Sequence, residues 1–459
     1  MSARPDVSVI VPCYNSAQTV AETLASIQAQ THANWEAICV DDESTDSTPE
    51  LLETLTRADP RIRWLRVSLG GLAATRNRAI PHATAPRAIC LDADDLLRPD
   101  ALETVLAASR MAGDTAVIGG GYELLDERGR PLSVFRLPTV PEFSVDALLR
   151  GNRLTSTTLI PKTLLEQQPF DESVPGCEDW DLWLRLADAG VGCVALPRVL
   201  FGYRQRAGSL SRRTDLMFDS GRRVLERWMP RARNPEAAGD ALFRWACTTG
   251  AFAFASGTRR AIRRYFDCLP PLEPSDDFNL TAAHSIYAAL LAVRGVTGET
   301  WSGHADRWIA EVEEWLAEGP LARRAAGILR CLARVRHNSQ DRLPALRSFL
   351  AETRASRLVI YGLGTNGSIL LEQLRADAGD GSCELCVADD HADPLTLAAL
   401  NLPRDDPRHW RSWPRDTVVA ITPNECEAMR ATLAKAGGRE GVDFVVLATC
   451  AEAVGVSAT

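Results

Sequence analysis

The chain has 459 residues, room for roughly two to four domains of ordinary size, and its 46% hydrophobic and 24% charged content is that of a globular protein. A net charge of −9 argues against duplex nucleic acid as a partner. No apolar run reaches the roughly 18–20 residues of a membrane span, and the opening MSARPDVSVIVP lacks a signal-peptide core, so a cytoplasmic protein with reduced, buried cysteines is expected.

From Val7 to about Tyr203, strand-like and helix-like stretches alternate. VSVIVP reads as a strand, followed by a helix over Ala17–Gln30. WEAICVDD is a second strand, and Ser47–Ala58 a helix with Pro49 in its first turn. IRWLRV, a helix over Leu72–Ala79 and RAICLD continue the series. Such alternation implies a parallel sheet covered by helices on both faces, with ligands beyond the carboxyl ends of the strands. Tyr14, Asp41, Asp42 and the Asp92–Asp95 cluster all fall there.

From about Thr214 to Phe349 the pattern is helical. Between Arg204 and Arg264, 14 arginines face 5 acidic residues, a local charge of +9. Solvated helix faces are the commoner explanation. The sharper one is a surface for an anionic acceptor or lipid, with peripheral contact at the inner face of a membrane. At Arg357 a second α/β unit begins with RLVIYGLGTNG. Its Gly362, Gly364 and Gly367 have the spacing of a dinucleotide-binding loop, and Asp389 follows about 22 residues later. The expected division is 1–215, 216–350 and 351–459. These are an α/β nucleotide-binding domain, a helical bridging or acceptor region, and a small Rossmann-like domain for nucleotide binding or support.

The stretch CLDADDLLRPD carries the chemistry. Asp92 and Asp94 stand two apart, so on an extended backbone their carboxylates point the same way. Such a pair can hold Mg²⁺ or Mn²⁺, which offsets the mutual repulsion and offers a site for a diphosphate. Alone, the same acids read equally well as the start of a helix over LLRPDALETVLAAS.

Taken together, VSVIVPCYNSAQTVAETLASIQAQT, WEAICVDDESTDST, GGLAATRNRAI, ICLDADDLLRPD, GCEDWDLWLRLA and YRQRAGSLSR resemble the family-2 glycosyltransferases, nucleotide-sugar enzymes of the GT-A fold, over roughly Val7 to Ser211. The resemblance implies that Pro12 and Tyr14 line the base pocket and that Asp42, with Asp41 beside it, meets the nucleobase or ribose. Arg76 and Asn77 match a pair near the nucleotide. Asp92 and Asp94 match the D-x-D element, with Asp94 and Asp95 as contacts to metal and sugar diphosphate. Asp179 matches the base that deprotonates an acceptor hydroxyl, although its place before WDLWLRLA also suits the N-cap of a helix over Trp180–Ala189. The chain departs from the pattern at Leu69, often asparagine, at Glu43, usually glycine, and at Arg206, often histidine.

The resemblance thus implies an inverting, metal-dependent transferase. A nucleoside-diphosphate sugar, a UDP-sugar first among them, would donate to a glycan or glycolipid of a bacterial surface. A nucleotidyltransferase would need a glycine- and arginine-rich loop where VPCYNSAQT stands. A non-catalytic nucleotide-sugar-binding protein on a decayed fold is the other alternative, against which the retained Asp94 and Asp179 count.

Overall fold

β-Branched and small apolar residues build the central strands. In the computed structural model β1 (Val7–Cys13) is buried along its length, and Val9 and Val11 join one hydrophobic core while Ile10 joins another. The described residues are 4–258 apart from 114, 137–141 and 207, then 264–265, 286, 289, 310–314, 357–361, 384–388, 417–421 and 444–446.

After α1 (Val20–Gln28), β2 (Trp35–Asp42) repeats the division, with Ala37 and Cys39 in the first core and Ile38 and Val40 in the second. Side chains alternate across a strand, so a strand covered on both faces must be apolar throughout. α2 (Thr48–Ala58), β3 (Ile62–Val67), α3 (Leu72–Ala79) and β4 (Arg87–Cys90) follow. Next come β5 (Leu96–Leu97), α4 (Ala101–Ala112), β6 (Val117–Leu125), β7 (Pro131–Arg136) and α5 (Val145–Leu149). The series continues with β8 (Ile160–Pro161), α6 (Lys162–Gln167), α7 (Glu178–Asp188), β9 (Cys193–Arg204), α8 (Thr214–Trp228) and α9 (Pro235–Ala255).

The first sheet has the order β3-β2-β1-β4-β8. Its first four strands are parallel and β8 is antiparallel to β4. Register places Cys13 beside Asp41 and Asp42 beside Val67, so the strand ends carrying the candidate residues share one edge. A second sheet, β5-β9-β6-β7, pairs β6 with β9 in parallel. Four further strands, β10 (Arg357–Tyr361), β11 (Glu384–Ala388), β12 (Thr417–Ile421) and β13 (Phe444–Val446), form a parallel sheet in the order β11-β10-β12-β13.

The far end of the first sheet is held by Glu36. Its carboxylate accepts from Ser8 Oγ at 2.6 Å, from the Thr84 backbone N–H at 2.6 Å and from Arg63 at 2.6 Å. Burial alone would raise its pKa, but these donors outweigh that and hold it below the ordinary glutamate value.

Three expectations change. α1 begins at Val20 rather than Ala17, because the N–H groups of Ser16 and Ala17 are bonded to Thr48 and Asp46 instead of opening a helix. The acids at 92–95 do not start a helix, since α4 begins at Ala101 after Asp100. α7 begins at Glu178 after Cys177, so Asp179 lies within its first turn and is not the cap.

Several arginines of the excess after Arg204 pair with carboxylates from elsewhere in the chain. Arg204 pairs with Glu22, Arg227 with Asp171 and Asp181, and Arg231 with Asp188. The described cysteines 13, 39, 90, 177, 193 and 247 are free thiols. No helix among the described residues is long and apolar enough to cross a membrane.

α8 and α9 meet at Gly221, where an added Cβ would lie 2.2 Å from the Trp245 indole. That indole donates to Phe218 O and sits 5.1 Å from the Trp180 ring, so it has little room to yield. Alanine gains up to about 1 kcal/mol of helix propensity over glycine, whereas overpacking costs about 1–3 kcal/mol. Gly221→Ala is therefore expected to lower stability, by up to about 2 kcal/mol, in urea unfolding.

Candidate active site

The loops after β1 and β2 are tied to each other side chain to backbone. Asn15 N–H donates to Ser44 Oγ at 2.8 Å, and Thr45 N–H donates to Asn15 Oδ1 at 2.9 Å. Ser16 N–H reaches Thr48 Oγ1 at 2.8 Å, and Ala17 N–H reaches Asp46 at 3.0 Å. Two residues in these loops, Asn15 (φ 48°) and Glu43 (φ 55°), adopt the left-handed conformation. Glu43 thereby explains the glycine usual at that place, since a residue with a Cβ pays roughly 1–2 kcal/mol there. The neighbouring ties hold it. Tyr14 projects from this frame 64% exposed, a ring available for stacking, whereas Pro12 is buried within β1.

Asp42 and Asp41 have different surroundings. Asp42 accepts from the backbone N–H groups of Leu69 (2.7 Å), Gly70 (3.2 Å) and Gly71 (3.0 Å), and so shapes the turn into α3. Asp41 is buried, and among the described residues neither of its oxygens accepts a hydrogen bond; Arg66 Nε approaches only to 3.4 Å.

Arg76 lies on α3, 2% exposed, between two carboxylates. It donates to Asp92 Oδ1 at 2.6 Å and to Glu178 Oε1 at 2.8 Å. Burial opposes its charge, but Asp92 and Glu178 more than reverse that and keep it a cation. Glu178 in turn accepts from Gly176 N–H at 2.6 Å. The end of β4 and the start of α7 are thus joined through one guanidinium. Asn77 faces other partners, exchanging two bonds of 2.9 Å with the Phe170 backbone.

The acidic turn after β4 divides its three carboxylates. Asp95 is 2% exposed and accepts the Arg204 backbone N–H at 2.9 Å. The Arg204 guanidinium holds Asp94 O at 2.7 Å and Glu22 at 2.6 Å. Asp92 and Asp94 remain partly exposed, with side-chain exposures of 30% and 25%, and Arg206 Nη1 stands 3.5 Å from Asp94 Oδ2. Burial, and then Asp92, raise the Asp94 carboxyl above its ordinary value. Two accessible, mutually repelling carboxylates form a hard-oxygen donor set that fits Mg²⁺ or Mn²⁺ when a diphosphate completes the coordination. No group of three or more candidate metal ligands occurs among the described residues, so such a site needs substrate oxygens. Asp95, buried against β9, is not part of that accessible pair.

Asp179 stands in the first turn of α7, partly buried. Its oxygens accept from Trp180 N–H at 2.7 Å and Asn152 Nδ2 at 3.1 Å. Burial first, and then the charge of Glu178, push its pKa from 3.8 up to about 7, against Arg76 and those two hydrogen bonds. A carboxylate with that affinity for protons is matched to general-base work near neutrality.

The profile of glycosyl transferase family 2 matches residues 8–152. A putative glycosyltransferase of Bacillus subtilis, EpsE, is 32% identical over 221 residues, which cover 47% of this chain and 78% of EpsE. The chain belongs to the family-2 glycosyltransferases. Two further relatives of this family-2 glycosyltransferase are a putative teichuronic acid biosynthesis glycosyltransferase of Bacillus subtilis, TuaG, and an uncharacterized glycosyltransferase of Rickettsia bellii. TuaG is 30% identical, over 45% of this chain and 82% of TuaG. The Rickettsia protein is 34% identical, over 40% of this chain but only 27% of its own length. The first sheet with its covering helices is the GT-A fold that the resemblance implied.

Within this glycosyltransferase, the structure joins Asp92, Arg76 and Glu178 in one ion-paired group, with Asp179 next to Glu178 in the first turn of α7. The sequence reading did not single out Glu178 and Asn152, although Glu178 adjoins Asp179 in CEDWD. The second-loop residues Gly362, Gly364, Gly367 and Asp389 lie outside the described residues.

A raised carboxyl pKa means that folding favours the protonated form, so stability is lost as pH rises from about 4 through about 7. Asp179→Asn removes that penalty. It should raise stability at pH 8 by on the order of 2 kcal/mol and change little at pH 4, as measured by urea unfolding at both pH values.

Proposed function

We propose that this glycosyltransferase is an inverting enzyme that moves a sugar from a nucleoside-diphosphate donor to an acceptor hydroxyl. The observation that carries the proposal is the Asp92–Arg76–Glu178 bridge, which ties the acidic turn to the base-bearing turn of α7. Tyr14 gives a stacking face for the base, with Asp41 at the end of the neighbouring strand. Asp42 and Asn77 act by shaping the loops around the nucleotide.

In the reaction Asp179 takes the acceptor proton while the acceptor oxygen bonds to the anomeric carbon. The bond from that carbon to the diphosphate breaks on the opposite side, and the diphosphate leaves with the electron pair. Asn152 and the Trp180 N–H orient the base. Asp92 and Asp94 would hold a divalent Mg²⁺ or Mn²⁺ ion, which when bound supplies electrostatic stabilisation of the departing diphosphate. The N-terminal end of α7 favours the ionised Asp179 before the proton arrives, an effect outweighed by the burial and the Glu178 charge that raise its proton affinity.

We assign the donor to the UDP-sugars first and the acceptor to a glycan or glycolipid of surface polysaccharide synthesis. The printed name of TuaG, in teichuronic acid biosynthesis, supports a polysaccharide setting. The proposed division remains 1–215, 216–350 and 351–459. For the last unit, the parallel order of β10 to β13 supports a Rossmann-like module, because the strand preceding Gly362 lies between β11 and β12.

Transfer and donor hydrolysis assayed against a panel of nucleotide sugars test the reading; turnover of none of them, with Mn²⁺ present, would refute it. Asp179→Asn should lower kcat by about 10²–10⁴-fold while donor affinity stays within a few-fold. The wild-type rate should fall below an apparent pKa of about 7, because protonated Asp179 cannot accept a proton. Asp94→Ala should abolish the Mn²⁺-dependent part of donor binding in calorimetric titration.

A further inference from the structure

Two arginines bracket the acidic turn, and they differ in how they are held. Arg204 is 2% exposed, and its guanidinium is fixed on Asp94 O, Glu127 O and Glu22. Arg206, just past the end of β9, is 32% exposed, and its ion pair with Asp94 is 3.5 Å long. Among the described residues no other ion pair of Arg206 is present.

The guanidinium therefore rests against an oxygen of the same carboxylate that would hold a divalent cation. While Arg206 rests on Asp94, part of that carboxylate's charge is already answered, so it attracts a divalent cation less strongly than it would alone. An arriving nucleoside diphosphate adds further negative charge beside Asp92 and Asp94, and a planar guanidinium matches phosphate oxygens better than it matches one carboxylate oxygen at long range. Arg76 cannot supply that charge, being buried between Asp92 and Glu178.

We propose that Arg206 is an exchangeable counter-ion of the donor site: it occupies Asp94 in the free protein and shifts to the diphosphate on binding, leaving Asp94 to a divalent ion. The proposal rests on the donor-site reading above and adds a chain-specific consequence. Part of the diphosphate affinity survives without metal, and metal alone binds weakly because Arg206 competes for Asp94. Removing Arg206 thus moves two constants in opposite directions, whereas a purely structural residue would weaken both or neither.

The test uses the full chain as wild type, Arg206→Ala and Arg206→Lys. UDP, GDP and ADP are titrated calorimetrically in EDTA and in excess Mn²⁺, and Mn²⁺ alone is titrated by the loss of its free electron paramagnetic resonance signal. Arg206→Ala should weaken the tightest nucleoside diphosphate in EDTA by about tenfold or more and tighten Mn²⁺ alone several-fold, with Arg206→Lys in between. Matching far-UV circular dichroism and thermal midpoints among the three proteins exclude misfolding. If the chosen variant does not fold, Arg206→Gln gives the same comparison. Unchanged constants in the alanine variant, or shifts of both in one direction, overturn the proposal. Wild-type binding that requires Mn²⁺ absolutely also overturns it while leaving the donor site intact. Absence of nucleoside-diphosphate binding under both conditions removes both readings.

Discussion

The arrangement of the site depends on one buried cation. Arg76 holds Asp92 on one side and Glu178 on the other, residues that belong to different elements and lie far apart in the chain. A buried guanidinium without carboxylates is strongly disfavoured, and buried carboxylates without a cation are equally so, so the three groups fix one another's positions. Removing the buried Glu178 costs about 3–5 kcal/mol, because a charge is left uncompensated in the interior, whereas loss of the partly exposed Asp92 costs less. The network therefore adds little net stability, but it permits few alternative geometries. Asp179, next in sequence to Glu178, inherits its placement from that constraint.

Around this centre, fixed loops replace flexible ones. Asn15, Ser44, Asp46 and Thr48 close the two strand-end loops on each other, and Asp42 gathers three successive backbone N–H groups of the loop that leads to Arg76. On the opposite side Asp181 is fully buried and receives Arg185, Arg227 and the Trp228 indole, which locks α7 against α8. Asp179, the base proposed above, is thus carried on a helix whose first turn is anchored through Glu178 and Asp181. Such support from surrounding groups is what preorganised chemistry requires, because a loosely held carboxylate would lose its orientation toward the acceptor.

The sequence displayed the strands and their function-bearing ends clearly. The run WEAICVDD and the helix Leu72–Ala79 appear with the expected limits, since doubly covered parallel strands must be continuously apolar and that signal is local. What it hid was the partner of each polar residue. Asp42 looked like a nucleotide contact, yet its acceptors are engaged by a loop 27 to 29 residues away. Asp95 looked equivalent to Asp94, yet it is claimed by a backbone N–H 109 residues later. Asn77 is matched to Phe170 by a complementarity that no periodicity encodes. The charge count of the arginine-rich segment is likewise answered in part from a distance, because Glu22, Asp171 and Asp188 come from outside the counted window.

The opposite poles of the first sheet respond in contrary ways to protons. At one pole Glu36, crowded by donors, stays ionised to lower pH than an ordinary glutamate, and the strands it ties stay tied until that carboxylate is titrated. At the other, burial and then neighbouring carboxylates raise Asp94, Asp95 and Asp179, so they take up protons at higher pH than ordinary carboxylates and their crowding is relieved. On the proposed assignment of Asp179 as the base, mild acidification stops the chemistry before it loosens the ties around Glu36.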